Sequence, residues 1–330
     1  MELSRMAFAA NMMVNQVLSV QRGETVLIVT DTDRPRTITQ ALAYSAVSAG
    51  GEVVVVTMEP QAIGGTEPPA PVAAAMAAAQ VVINQSTHSL THTAAVREAM
   101  KKGARIANLR NMTEEMMVAG GIRADYQQVR RITERLSRLL TEADTIRLTT
   151  PAGTDLTMQA RGRKAIAQTG FVTKPGELSG LPDGEATLAP LEGVTEGVVV
   201  EPYIADTLGP ITEPFRMEIA KGRITNVTGG RQAAELRRLL AQHDAAGYNA
   251  ASQFALGTNP ACRVVPNTRE VSKKLGTAHF AIGDNITLGG QSKSSFHIDF
   301  VLLNPSVFLD GVCILKDGEY QIDLEGSGEL

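Results

Sequence analysis

Two hydrophobic rhythms divide the chain. Over the first 140 or so residues, short β-branched apolar runs alternate with longer stretches whose apolar positions recur at helical spacing. "TVLIVTD" (25–31) is an almost continuous apolar run closed by a polar turn, the pattern of a strand buried on both faces. "RTITQALAYSAVSAGG" then has helical periodicity and stops at Gly50-Gly51. The cycle continues with strand "EVVVVTM" (52–58), helix "APVAAAMAAA", strand "QVVINQS" (80–86), helix "TAAVREAMKK" and strand "ARIANL" (104–109). Such βαβ alternation predicts a parallel sheet covered by helices, a Rossmann-like α/β domain over residues 1–144. Its last element is a long amphipathic helix, "YQQVRRITERLSRLLTEAD" (126–144).

From residue 145 the period shortens to two. "TIRLTTPAGTDLTMQAR" has the form of a hairpin around a Pro-Ala-Gly turn, and "EGVVVEPYI" and "RMEIAKGRITNVTGG" add further alternating runs. One helix, "AAELRRLLAQHDA" (233–245), interrupts them. Residues 145–330 are therefore expected to form an α+β domain rich in antiparallel strands.

Composition narrows the function. A net charge of −4 without a long basic run argues against a nucleic-acid partner. No apolar run reaches membrane-spanning length, so no membrane partner is expected. The N-terminal "MAFAANMMVNQVLSVQRGE" lacks a basic start and is broken by Asn11, Asn15 and Gln16, which predicts an amphipathic helix rather than a leader. Two distant cysteines, Cys262 and Cys313, make neither a disulfide framework nor a zinc knuckle, and a cytoplasmic location follows as the expectation. The turn after the first strand, "TDRPRT", has no glycines to cradle a pyrophosphate, so a dinucleotide site is not expected.

The histidines carry the candidate chemistry. His88 and His92, in "STHSLTHT", follow the third strand at the ligand-binding edge expected of a parallel sheet. They would share a metal only if the segment were helical, and no carboxylate accompanies them, so substrate contact is the better role. His243 belongs to a charged helix end. "FHIDF" is different: Phe296, Ile298 and Phe300 alternate with His297 and Asp299, so the imidazole and carboxylate project together from the opposite face. His279, in the alternating run "AHFAIG", is placed to come from a neighbouring strand. A buried His–Asp hydrogen bond explains the pair alone; the added histidine points to a cation.

Four segments, "LPDGEATLAP" (181–190), "FALGTNPAC" (254–262), "GTAHFAIGDN" (276–285) and "SSFHIDF" (294–300), occur in an order and spacing that resembles one superfamily. It holds the aminopeptidase T-type metallopeptidases and the 2,5-dihydroxypyridine 5,6-dioxygenases. The resemblance implies metal-site roles for Glu185, His279, His297 and Asp299. The aminopeptidases carry a glutamate four residues before the "G-x-N-P" motif, where this chain has Gln253 and the dioxygenases are expected to have histidine. They also carry a tyrosine seven residues after the first histidine, where this chain has Ile286. The resemblance thus implies the loss of two ligands for a second metal.

The residues together with the resemblance imply a single-metal enzyme acting on a small molecule. In the first reading His279, His297 and Asp299 hold Fe(II), and a hydroxylated N-heteroaromatic ring such as a dihydroxypyridine is opened by O2. Glu185 serves as acid/base or as a further ligand, and Gln253, His88 and His92 contact substrate. In the second, Zn(II) with an activated water cleaves an amide bond. A third, a binding protein that has lost its chemistry, rests on the Gln253 and Ile286 departures. A loop carrying Glu185 within "TKPGELSGLPDGE" is expected, with a homo-oligomer closing the cleft.

Overall fold

The structure, a computed structural model, describes residues 2–62, 65–91, 93–242 and 245–326. Contacts divide the chain into two compact units, Met1–Tyr126 with Gly170–Asp183, and Gln127–Thr169 with Gly184–Leu330.

In the first unit the expected alternation is present. After α1 (Glu2–Met12) come β1 (Thr25–Asp31), α2 (Arg36–Ser48), β2 (Glu52–Met58), α3 (Ala70–Ala78), β3 (Val81–Gln85), α4 (Ala94–Lys101), β4 (Arg105–Asn108) and the short α5 (Glu114–Val118). The punctuation is chemical. Pro35 precedes α2, and Gly50, at φ 88°, follows its last turn. Thr93 caps α4 by accepting the Val96 N–H. β1 pairs in parallel with β2 on one side and β3 on the other, so it is buried along almost its whole length, as its continuous apolar run requires. Leu27, Val29, Val82 and Ile106 pack on Val72, Met76, Val96 and Ala99 of α3 and α4.

The second unit begins one residue into α6 (Tyr126–Glu142), whose Ile132, Leu136, Leu139 and Leu140 are buried while Arg130, Arg131 and Arg138 face solvent. Next come the hairpin β5 (Thr145–Thr149) and β6 (Asp155–Gln159), then β7 (Ile166–Gln168). The next strand, β8 (Leu178–Gly180), lies in the stretch Gly170–Asp183 that belongs to the first unit and is the edge strand of that unit's sheet, which has the order β2-β1-β3-β4-β8 and is parallel throughout. β9 (Glu185–Leu188), β10 (Glu196–Val200), β11 (Ile204–Ala205), β12 (Gly209–Pro210), β13 (Phe215–Ala220) and β14 (Arg223–Gly229) precede α7 (Arg231–Gln242). After it lie β15 (Ala250–Gly257), the single turn α8 (Thr268–Val271), β16 (Ala278–Gly283), β17 (His297–Leu302), β18 (Ser306–Leu309), β19 (Val312–Lys316) and β20 (Glu319–Tyr320).

These strands make two antiparallel sheets, β14-β13-β10-β6-β5-β18-β19-β20 and β12-β11-β17-β16-β15-β9-β7. The α/β first half and the antiparallel α+β second half are thus as expected. One core serves both antiparallel sheets: Phe280 stacks on Phe300 at 5.2 Å between ring centroids, and Phe300 meets Phe215 of β13 at 5.8 Å. Among the described residues no helix is long and apolar enough to cross a membrane.

Candidate metal centre

Strand register assembles the site. In β17 and β16, Asp299 lies opposite Ala281 and His297 opposite Gly283. In β16 and β15, Ala281 lies opposite Gln253 and His279 opposite Ala255. In β15 and β9, Gly257 lies opposite Glu185. Directly opposed residues share a face of an antiparallel sheet, so Glu185, Gln253, His279, His297 and Asp299 project from one side of four neighbouring strands. The alternate positions, Leu188, Phe254, Leu256, Phe280, Ile282, Ile298 and Phe300, enter the core on the other side. Glu185 opens β9 and is 2% exposed, not in the loop its Pro- and Gly-rich approach predicts.

Polar contacts then pair these side chains. His279 is wholly buried; its Nε2 lies 3.4 Å from Glu185 Oε2 and 3.2 Å from the Gln253 side-chain nitrogen. Lys273, only 6% exposed, donates from Nζ to the same Glu185 oxygen. At the open end His297, with 32% of its side chain exposed, meets Asp299 Oδ1 through Nε2 at 3.0 Å. Its Nδ1 lies 2.8 Å from the Asp284 carbonyl oxygen and donates to it. With Nδ1 protonated, an uncharged His297 would present a bare Nε2, the tautomer a metal-binding imidazole needs.

The electrostatics follow from those pairings. Burial opposes ionisation of Glu185, but the charges of Lys273 and His279 and the Lys273 hydrogen bond more than offset it and lower its pKa. Burial likewise opposes a charged Asp299, yet the His297 hydrogen bond and the charges of His297, His279 and Lys273 hold it below the usual carboxylate range. For His297, burial favours the neutral ring; the bond to Asp299, its charge, the Asp284 carbonyl and the Asp206 charge outweigh that and raise it to about 9.

Among the described residues no three His, Cys, Asp or Glu side chains form a group that holds a metal ion as they stand; Glu185 is bonded to Lys273 and His297 to Asp299. Their chemistry nevertheless fits a divalent ion. Two imidazoles and two carboxylates share one face, and His279 Nδ1 is buried without a hydrogen-bond partner, a cost that a ligand or its water relieves. His88 lies in the first unit, in the loop between β3 and α4, where its carbonyl accepts from Ser86 Oγ. His92 and His243 fall outside the described residues.

Three contributors have no counterpart in the sequence expectations. Lys273 arrives from a turn rather than a strand, and its only signal is a Lys-Lys pair just ahead of "LGTAHFAIG". Asp206 follows β11, and its N–H donates to the Asp299 carbonyl at 3.0 Å. Asp284 acts through its backbone, which no side-chain motif reveals.

A family model described as NicX, 2,5-dihydroxypyridine 5,6-dioxygenase, matches residues 6–322. A 2,5-dihydroxypyridine 5,6-dioxygenase of Pseudomonas putida KT2440 is 24% identical over 262 residues, 74% of this chain and 72% of that protein. Among solved structures, 2,5-dihydroxypyridine dioxygenase from P. putida KT2440 superposes with a TM-score of 0.79 at 21% identity, covering 97% of this chain and 98% of the other. Wild-type AmpT from Thermus thermophilus superposes at 0.71 and 16% identity, covering 97% and 99%. The structural likenesses establish the shared fold, and the family match favours a dioxygenase over an aminopeptidase. This chain is an enzyme of the 2,5-dihydroxypyridine 5,6-dioxygenase (NicX) family.

Proposed function

We propose that the protein opens the ring of a dihydroxypyridine, or a closely related hydroxylated N-heteroaromatic, with O2 and one Fe(II). The observation that carries this reading is the common face: His279, His297 and Asp299 stand on two adjacent strands of one sheet, in a chain matched to the family from residue 6 to 322. His279, His297 and Asp299 are the residues that would hold the iron, which when bound would supply the redox and Lewis-acid chemistry toward O2 and the hydroxylated ring.

The chain's own residues do the rest. The Asp284 carbonyl fixes the His297 ring, leaving Nε2 to face Asp299 and the open side of the sheet. Glu185, kept ionised by Lys273, is the base that accepts a ring hydroxyl proton. The Gln253 amide, beside His279, offers a neutral hydrogen-bonding group to the ring. The apolar strand positions behind these groups hold them on a rigid support.

An oxygen electrode tests the activity. Anaerobically purified, Fe(II)-loaded protein should consume O2 in step with loss of 2,5-dihydroxypyridine and release no amino acid from leucyl peptides. Peptide turnover at equal rates with and without air would replace this reading with hydrolysis.

We also propose a homo-oligomer in a reducing compartment. Phe8, Tyr44, Val47, Val54 and Val55 of α1, α2 and β2 leave large apolar surfaces in solvent, and Cys262 and Cys313 are free thiols. Light scattering giving a fully active 35.1 kDa monomer would overturn the assembly.

A further inference from the structure

Lys273 brings an ammonium into the polar face, where it bonds Glu185, and several contacts fix it there. Its backbone carbonyl accepts from Asn259 N–H at 2.8 Å, and the Asn259 carbonyl accepts from Leu275 N–H at 2.9 Å. The turn 273–274 is thereby clamped against the "G-x-N-P" segment. Gly257, the register partner of Glu185, has no room for a side chain: a Cβ there would collide with the Lys274 carbonyl oxygen and crowd Thr277 Oγ1. The bare backbone at 257 lets the lysine turn approach the strand directly opposite Glu185.

The resulting ion pair is closed to water. Glu185 is 2% exposed and the Lys273 side chain 8% exposed. Drawing Glu185 onto a metal would strand that ammonium in a dry site, where an unpaired charge is strongly destabilising. The cation Glu185 is built to face is therefore the lysine. Gln253 agrees with this arrangement, since a second metal ion would need a carboxylate where this chain has a neutral amide.

We propose that Lys273 is a positioning residue that occupies Glu185 and keeps it out of the metal's ligand set, so that His279, His297 and Asp299 alone hold one ion. The inference rests on the metal reading above and deepens it: Lys273 takes the place of a second metal, and Glu185 stays a base instead of becoming a fourth ligand.

Mn(II) binding to the full chain, followed by equilibrium dialysis under argon, tests it without recourse to activity. Lys273→Met should free Glu185 to ligate and tighten Mn(II) by roughly 10-fold or more. Lys273→Arg should keep the wild-type affinity and a single equivalent. The double variant Lys273→Met/Glu185→Gln removes the pair as a unit, with little effect on folding, and should return the affinity to that of the wild type. Loss of Mn(II) from the double variant, to the degree seen in Asp299→Asn, would show that Glu185 is a ligand and overturn the proposal. So would a folded Lys273→Met with unchanged affinity. Should Lys273→Met not fold, the double variant and Lys273→Arg decide the matter alone. A wild-type chain that binds no Mn(II) would overturn the metal assignment itself, and this inference with it; that outcome differs from a wild type that binds and a double variant that does not.

Discussion

The two faces of the seven-stranded sheet come from the same strands, one residue apart, and are held by opposite physics. On one side Phe254, Phe280 and Phe300 are wholly buried among aliphatic neighbours, and removal of apolar surface from water stabilises them without direction. On the other, His279 and Glu185 are just as deeply buried, yet each depends on a particular partner. The apolar face tolerates any shape that fills it, whereas the polar face tolerates only its own pairings. A period of two lets one strand carry both an apolar support and a polar face, so the position of a polar-face side chain is set by the packing of its two sequence neighbours.

The largest contrast should appear when the polar face is cut. Asp299→Ala removes a candidate ligand and the partner of His297, and should lower oxygen uptake by roughly 10⁴-fold, about 5.4 kcal/mol in activation terms, with the metal lost and far-UV dichroism retained. Activity within tenfold or so of wild type would remove Asp299 from the site. Cutting the apolar face should do the reverse. Phe280→Ala deletes a ring stacked at 5.2 Å on Phe300 and should cost about 3–5 kcal/mol in urea unfolding. Any folded fraction should keep its metal. If that variant loses metal while its stability is unchanged, the two faces are not separable in the way the register implies.

How much of this contrast could be read from the chain depends on the range of the contacts. "FHIDF" carries its facing in local alternation, so the placement of His297 and Asp299 on one face follows from counting residues; that His279 of "AHFAIG" shares the face depends on the register between the two strands, which the structure pairs as neighbours. The β1–β4 alternation is equally local. Glu185 was less legible, because the prolines and glycines before it signal a loop and the strand begins at Glu185 itself. Lys273 was not legible at all. It contacts a residue 88 positions away from within a turn, and two adjacent lysines normally mark a solvated surface. A unit assembled from two separated stretches, Met1–Tyr126 and Gly170–Asp183, likewise has no signature in linear texture.

A smaller effect should come from changing the charge of the polar face rather than cutting it. Gln253→Glu adds a buried carboxylate beside His279, close to Glu185, which already has its cation. In metal-free protein this should cost about 1–3 kcal/mol, and added Mn(II) should recover more stability in the variant than in the wild type. Thermal midpoints with and without Mn(II) measure both. A variant less responsive to Mn(II) than wild type would mean that position 253 does not face the ion.

The smallest expected effect tests whether the polar face depends on anchors outside it. The glycine-rich segment between β16 and β17 supplies the Asp284 carbonyl that fixes His297, and Glu192 holds that segment down. It accepts from Asn285 Nδ2 at 2.8 Å and from Gln291 N–H at 2.7 Å, and pairs with Arg163, which also donates to the Gly289 carbonyl at 2.7 Å. Burial works against the charged Glu192, but these hydrogen bonds and Arg163 prevail and lower its pKa. A carboxylate with a depressed folded-state pKa contributes its stability above its unfolded value, near 4.3, and loses it as pH falls through the lower folded one. Between about pH 5 and 8 the anchor is therefore intact, and it weakens only on acidification below about 4. Glu192→Gln should mimic the acid state at neutral pH: faster amide exchange across 285–295, a modest rise in KM for the ring substrate, and stability at pH 7 brought towards that of the wild type at low pH. The apolar face should be untouched, with Phe280 and Phe300 neighbours exchanging as before. Faster exchange at Phe280 or Phe300 together with an unaltered 285–295 segment would show that Glu192 acts on the core and not on the loop. In that case His297 would owe its orientation to the strand alone.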